Sequence, residues 1–352
     1  MPISNPPTND TRPRIAYLLG DMTGIGPEIV ARTLADGKLA EVARLCVVGD
    51  ARVLEMGIRD AGVKLAWERV ASPAEIDWAD FAKRGVVPLI DLANVDPAAI
   101  KRGEVSAVSG KLTGESLAAA IELASAGHFD AITFAPLNKQ ALSKGGWKFP
   151  DEHKMFAHLL RHNGYFSEMN VLDGQWMGRV TSHVSLREAL DQINPQSIEA
   201  AIRLVDTTMK RAGVEKPRIA VAALNPHGGE GGLFGMEEIE MIKPTVDKVA
   251  ATGIDCSGPY PSDTLYIKAF NGDFDGVVSM YHDQGQIATK LKGFGRGVTV
   301  TAGLATVFTT PSHGTAFDIV GKGVATTGAL ESAVRLAAEI ARRRLAERSA
   351  AP

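Results

Sequence analysis

Short apolar runs closed by glycine, proline or aspartate recur along the chain, with longer helix-period stretches between them. "RIAYLL" from Arg14, "LCVVGD" from Leu45, "VVPLIDL" from Val86, "FDAITFAPL" from Phe129, "RIAVAALNP" from Arg218 and "FDGVVSMYHD" from Phe274 read as buried strands. "SGKLTGESLAAAIELASAGH" and "SIEAAIRLVDTTMKRAG" read as amphipathic helices, each closing on a glycine suited to a left-handed cap. Strands alternating with helices predict an α/β protein with mostly parallel pairing. In such folds functional residues gather where strands end, because the loops there leave backbone and side-chain groups free for a ligand. The last helix, "LESAVRLAAEIARRRLAERSA", sets an alanine and leucine stripe opposite arginines, the pattern of a helix packed on the surface of the core.

The chain has 352 residues, enough for one large domain or for two lobes sharing a cleft, and two lobes are the expectation. With 38 lysines and arginines against 41 aspartates and glutamates, and no basic run, nothing resembles a nucleic-acid footprint, so a small molecule is the expected ligand. Cys46 and Cys256 lack any framework spacing and fit two inert thiols in a reducing compartment. The opening "MPISNPPTNDTRPR" is polar and proline-rich, a frayed tail over residues 1–13 rather than a signal peptide. No apolar run approaches the roughly 20 residues of a membrane span. A soluble, cytoplasmic protein is expected.

Three histidines each follow a strand: His183 in "GRVTSHVSL", His227 in "AALNPHGGEGG" and His282 in "SMYHDQG". Neutral imidazoles from separate loops can close a divalent metal site with open positions for substrate, and Asp263 and Asp283 stand at loop ends of the same kind. One histidine alone would more often be a satisfied hydrogen bonder; three with two carboxylates favour a metal site. "GDMTGIGPEIV" from Gly20 is either a tight loop approached by a ligand or simple strand-to-helix punctuation, with Pro27 in the first helical turn. "GFGRG" from Gly293 imitates a dinucleotide fingerprint, but "VTVTAG" after it is a strand, so that reading fails on context. "PSHGTAFDIVGKG" from Pro311 is a helix start facing an anion such as a pyrophosphate, or an ordinary capped helix.

Together "GDMTGIGPEIV", "LNPHGGEGGLFGMEEIEMI", "YPSDTLY", "MYHDQGQIATKLKGFGRGVTVT" and "HGTAFDIVGKG" resemble the 4-hydroxythreonine-4-phosphate dehydrogenase family, within the metal-dependent decarboxylating dehydrogenases that include isopropylmalate dehydrogenase. The resemblance implies a two-lobed isopropylmalate-dehydrogenase-like α/β fold with the active-site cleft between the lobes. Residues 14–140 with 290–352 would form the cofactor lobe, and 141–289 the metal, substrate and dimer lobe. It also implies a homodimer whose metal site takes ligands from both subunits. Matched residue by residue, His183, His227 and His282 take the metal positions, with zinc first among the divalent ions and magnesium an alternative. Lys290 takes the substrate-contacting, proton-transferring position, and Asp263 and Asp283 are acidic residues close to the metal. His313, Gly314, Thr315 and Asp318 line the nicotinamide dinucleotide, NAD by default.

The chain departs from the pattern where phosphate is held. Members that use a phosphorylated substrate have "GHTE", whose histidine and threonine hold substrate, where this chain has "DEHK", placing Glu152 and His153 there. Thr299 replaces a substrate-binding asparagine, and Phe308 an arginine. Loss of a guanidinium and gain of a carboxylate both disfavour a dianion. The expected reaction is therefore oxidation of a secondary alcohol of a hydroxy acid with coupled decarboxylation, on a substrate without phosphate such as a cis-dihydrodiol carboxylate. The alternatives are the 4-hydroxythreonine-4-phosphate dehydrogenase of pyridoxal phosphate biosynthesis, with His153 and Lys154 holding phosphate in a rearranged loop, and, from another class, a phosphate acyltransferase or a non-catalytic binding protein.

Overall fold

The structure is a computed structural model that describes residues 10–350, Phe294 excepted. The expected tail therefore lies outside the described residues as far as residue 9. Twelve strands form one sheet. In chain order they are β1 (Arg14–Leu18), β2 (Arg44–Gly49), β3 (Trp67–Val70), β4 (Val87–Asp91), β5 (Ala131–Phe134), β6 (Ser167–Leu172), β7 (Gln175–Arg179), β8 (Ile219–Ala222), β9 (Cys256–Tyr260), β10 (Gly276–Ser279), β11 (Val298–Ala302) and β12 (Val307–Pro311). Across the sheet they run β3-β4-β2-β1-β5-β12-β11-β6-β7-β10-β8-β9.

The α/β class is as expected, but the pairing is mixed. Both flanks are parallel, whereas β12-β11, β11-β6 and β6-β7 are antiparallel. The reason is local. β6 returns directly into β7 through Asp173 and Gly174, both at positive φ (51° and 85°), so a two-residue turn joins them and no crossover helix is needed. The three antiparallel contacts reverse strand direction from one flank to the other, and the sheet runs unbroken across the expected lobe boundary between β11 and β6.

Strand alternation sorts the core onto the two faces. Ile15 and Tyr17 of β1, Met169 of β6, and Val298, Val300 and Ala302 of β11 join one buried cluster, completed by the helices Gly26–Asp36, Pro195–Arg211 and Gly328–Ala350. That last helix buries Ala329, Leu330, Ala333, Val334, Ala337 and Ile340, the stripe legible in its sequence. On the opposite face Ala16, Leu18, Ile132, Phe134 and Phe308 pack with Leu117 and Ile121 of helix Ala107–Ser125 and with Met155 and Phe156 of helix Glu152–Leu159. Both cysteines are buried and unpaired. Among the described residues no helix is long and apolar enough to cross a membrane.

Candidate active site

On the second face, at the antiparallel centre of the sheet, apolar packing gives way to a polar surface. Thr299 of β11 is in register with Asn170 of β6 and Thr310 of β12; two residues along, Thr301 is in register with Glu168 and Phe308. Period-two alternation points all six side chains to one side. Asn170, Thr299, Thr301 and Thr310 are each under a tenth exposed, and so is Arg179 at the end of β7. A cavity of about 320 Å³ stands over this surface. Its roof is helix His282–Gly293, where His282, Gln286, Lys290 and Gly293 recur at spacings of three and four residues and so share one helical face. The eight-residue interval between His282 and Lys290 thus places both in the cavity. The wall comes from Pro136, Leu137 and Lys139 after β5 and from Ser312, His313 and Gly314 after β12. Gly293, Gly295, Gly297 and Gly314 also line it, so that backbone without side-chain cover faces the cavity. The expected strand-end loops contribute, but the cavity lies over the face of the sheet.

His183 and His282 come together, with ring centroids 5.5 Å apart. Each has a carboxylate on Nδ1, Asp151 at 2.9 Å for His183 and Asp283 at 2.7 Å for His282, which leaves both Nε2 atoms available. Asp151 is fixed in turn as the N-cap of helix Glu152–Leu159, its Oδ1 accepting from the Lys154 N–H at 2.8 Å. Burial works to raise the Asp151 carboxyl, but the bonds from His183 and Lys154 prevail and hold it at about 2. His183 itself sits at φ 47°, a left-handed conformation unusual for a residue with a side chain.

Behind this pair lies a charged network that joins Glu152, His153 and Thr299, expected from the sequence, to Glu168, Asn170 and Arg179, which carry no motif. Burial acts to raise Glu168, yet the Arg179 guanidinium at 3.3 Å and the His153 ring hold it well below the usual carboxylate range. Burial acts to neutralise His153, whereas Glu168 accepting from Nε2 at 3.3 Å and the nearby Glu152 and Asp151 charges raise it above an ordinary histidine. His153 Nδ1 lies 2.6 Å from the Thr301 hydroxyl. Asn170 bonds Arg179 through its carbonyl and Thr299 through its amide at 3.0 Å, and the Gln286 side chain reaches Asn170. Glu152 lines the cavity with its carboxylate 3.3 Å from Lys139.

Several expected site residues fall elsewhere. His227 and Asp263 do not line the cavity; both are exposed. His227 begins a run of six residues at positive φ, His227 to Gly232, where four glycines relieve a conformation that His227 and Glu230 also adopt. Glu238 anchors this loop by accepting the N–H groups of Leu224 and Asn225 at 2.8 and 2.7 Å. Asp263 lies in the first turn of helix Ser262–Phe270 after the neighbouring strand, and Pro261 before it packs beside Gly228, so the His227 loop adjoins the start of that helix. Among the described residues no three histidine, cysteine or acidic side chains of one chain are grouped to hold a metal. One chain therefore offers two imidazoles of the expected three.

Phe308 is also displaced from its expected role. It shares the polar surface by register, but Phe156 stacks on it at 4.3 Å and 10° and seals it into the core at 1% exposure. Asp283 is largely exposed and serves His282 rather than the cavity. After His313 no α-helix begins: Ala316 adopts φ 45°, only the short turn Phe317–Ile319 follows, and the next helix starts at Gly328. The expected helix N-terminus is thus absent from this loop, because the Thr315 carbonyl accepts from the Ile25 N–H at 3.0 Å and docks the loop onto "GDMTGIGPE". A Cβ at Gly24 would stand 2.6 Å from Thr315 Cβ, so this junction requires glycine. Asp318 is exposed and does not line the cavity.

The comparisons with known proteins agree with this architecture. The model of the family described as pyridoxal phosphate biosynthetic protein PdxA matches residues 41–337. A protein of Cupriavidus necator named D-threonate 4-phosphate dehydrogenase is 42% identical over 96% of this chain and 99% of its own. The crystal structure of a 4-hydroxythreonine-4-phosphate dehydrogenase from Klebsiella pneumoniae superposes with a TM-score of 0.80 at 37% identity, covering 95% of this chain and 100% of that one. That of a terephthalate 1,2-cis-dihydrodiol dehydrogenase from Burkholderia xenovorans gives 0.64 at 28% identity, covering 93% and 98%. With a whole-length relative at this identity and a family model spanning most of the sequence, the chain belongs to the PdxA family of dehydrogenases.

Proposed function

We propose that the cavity is the active site of an NAD- and divalent-metal-dependent dehydrogenase that oxidises a secondary alcohol of a hydroxy acid and then releases carbon dioxide. The observation that carries this reading is the placement of His183, His282 and Lys290 on one cavity, beside the His313–Gly314 turn. The cavity takes lining residues from both proposed lobes, 14–140 with 290–352 and 141–289. His183 and His282, each with a free Nε2, suit zinc or a similar divalent ion, and the exposed His227 suits a third ligand supplied across a homodimer, with Asp263 at the adjoining helix start. Held there, a divalent ion would supply Lewis acidity to the substrate alcohol, and a nicotinamide dinucleotide would supply the acceptor for hydride.

The chain's own groups account for the rest. Asp151 and Asp283 hold the two imidazoles in the tautomer that keeps Nε2 open. Lys290 Nζ projects from the roof and, among the described residues, has no ion-pair partner; as the neutral amine it takes the alcohol proton, and as the resulting ammonium it returns one to the carbon left when the bond to the carboxylate breaks. The backbone of Gly295, Gly297 and Gly314, bare of side chains, suits the dinucleotide together with His313.

Glu152 and Glu168 both line the cavity, and its described lining residues include the lysines Lys139, paired with Glu152, and Lys290 but no arginine. Two carboxylates disfavour a dianion and accept hydroxyl groups, which supports a hydroxy acid without phosphate. The relatives whose names carry phosphorylated substrates supply the competing reading. Reduced-nicotinamide absorbance decides between them, read on zinc-loaded protein with D-threonate 4-phosphate, 4-phosphohydroxythreonine, their unphosphorylated forms and cis-dihydrodiol carboxylates. Turnover confined to the phosphate esters would discard the unphosphorylated substrate, and failure with the entire panel would discard the dehydrogenase reading of the cavity.

A further inference from the structure

The Glu168 carboxylate is the least expected group in the cavity. It stands on an interior strand, in register with Thr301, under a helical cover and on a face that elsewhere buries leucine, isoleucine and phenylalanine. Burying an ion pair with Arg179 there contributes little to stability compared with apolar residues of the same volume. Its contacts are also loose. The distances from its oxygens to Arg179, Asn170 and His153 are all 3.3 Å, and that to His183 is 3.8 Å, whereas a charge-assisted bond settles near 2.7–2.9 Å. A carboxylate has about four lone-pair directions. Glu168 therefore keeps acceptor capacity facing the cavity, while Arg179 behind it lines no part of that space. Asn170, Thr299 and Ser312 continue the same surface as one hydrogen-bonded row, with Thr299 2.9 Å from Ser312 and 3.0 Å from Asn170. The row is neutral, rich in acceptors and too polar to welcome a bare ring.

We propose that Glu168, backed by Arg179, is the specificity-determining residue of this enzyme: it accepts a hydrogen bond from a terminal hydroxyl of the substrate, selecting an unphosphorylated polyhydroxy acid. The inference rests on the unphosphorylated-substrate reading given above and names the group that enforces it. Glu152, paired with Lys139 on the same cavity, reinforces the exclusion of a phosphate at that end. Arg179 is a positioning residue, acting through Glu168.

The test measures binding, not turnover alone. Calorimetric Kd values are taken on the zinc-loaded, full-length protein for three probes: D-threonate, its 4-deoxy analogue (2,3-dihydroxybutanoate) and D-threonate 4-phosphate. A hydrogen bond to a charged group predicts that wild type prefers D-threonate over the 4-deoxy acid by roughly tenfold or more. Glu168→Gln should bring that preference to within about twofold and improve binding of the 4-phosphate, since an isosteric amide removes the charge that repels it. If Glu168→Gln fails to fold with Arg179 left unpaired, the double variant Glu168→Met with Arg179→Leu removes the pair as a unit and keeps the measurement available. A preference retained in the folded variant overturns the proposal. So does a wild type that prefers the 4-phosphate, or one that binds none of the three. NADH formation read in parallel keeps the two claims separate: a hydroxyl preference that depends on Glu168, without hydride transfer, would overturn the dehydrogenase reading alone.

Discussion

Phe308 offers the sharpest division between what its position in the sequence suggests and what its surroundings dictate. The resemblance puts it against substrate, whereas the structure seals it under Phe156, with centroids 4.3 Å apart and planes 10° from parallel, and Phe134 meets Phe156 edge-on at 5.6 Å. Phe308→Ala would remove a ring that is 99% buried by its 1% exposure and open a void between β12 and helix Glu152–Leu159. Large-to-small changes of this kind cost about 3–5 kcal/mol, the sum of lost transfer energy and residual cavity. That is a sizeable share of the roughly 5–15 kcal/mol that holds a typical domain folded. Phe308→Leu keeps most of the volume and should cost about 1–1.5 kcal/mol. Urea unfolding followed by tryptophan fluorescence reads both. The companion assay is KM for whichever hydroxy acid the enzyme turns over, measured on Phe308→Leu, which should stay within about twofold of wild type because Thr310, Thr299 and Asn170 intervene along the surface. A Phe308→Leu protein with unchanged unfolding midpoint and a tenfold change in KM would refute the reasoning and return this ring to the substrate.

Three further outcomes follow from the site and the core. Asp151→Asn, which exchanges the acceptor on His183 Nδ1 for an amide, should weaken zinc affinity about 10–100-fold in a chelator competition, the usual effect of losing a carboxylate behind a metal-bound histidine; unchanged affinity would mean that His183 needs no orienting partner. Gly24→Ala should raise KM for NAD by at least about tenfold while leaving the Gly26–Asp36 helix intact by circular dichroism, because its methyl group collides with Thr315 and shifts the His313–Gly314 turn; an unaltered cofactor KM would detach that turn from cofactor binding. Burial pushes the Cys46 thiol up to about 12. A folded pKa above the unfolded value means that the protonated thiol favours the native state, so this contribution is complete below about pH 9 and is lost as pH rises towards 12. Stability should therefore fall by about 1.4 kcal/mol between about pH 8 and pH 10 on this account, and Cys46→Ala should flatten that part of the profile; an identical slope in the variant would assign it to other groups.

Much of the fold was legible because its flanking strands are buried on both faces. β1, β2, β4, β5, β8 and β10 are continuous apolar runs bounded by turn residues, and all six stand where the pattern placed them. The strands that were not found fail that pattern for identifiable reasons. β3, "WERV", is an edge strand whose Glu68 and Arg69 face solvent, and β9, "CSGPY", is the opposite edge and carries a glycine and a proline that an interior strand would exclude. β6 lies at the centre of the sheet, yet its polar residues broke the apolar run. The helix expected after His313 failed on backbone conformation at Ala316, which no propensity scale marks.

The site was legible in proportion to how local its chemistry is. His282 and Lys290 share a helix, so their spacing fixes their common face, and His183 is flagged by its place beyond a strand. Glu168, Asn170 and Arg179 carry no such mark. In "SEMNVL" the polar and apolar residues alternate with period two, the signature of a strand with one wet face, and by that rule Glu168 and Asn170 belong in solvent. Two helices from elsewhere in the chain, Glu152–Leu159 and His282–Gly293, cover the face and turn a wet surface into an enclosed one. The alternation is the same in either case, and only tertiary cover distinguishes a solvated strand from the lining of a cavity. Metal-site residues can be matched to a motif because the ion constrains their type, whereas residues that recognise the variable end of a substrate are constrained only by that substrate. A polar stripe on a strand that topology makes central is thus a signal in its own right, and here Glu168 and Asn170 line the same cavity as Glu152 and Thr299.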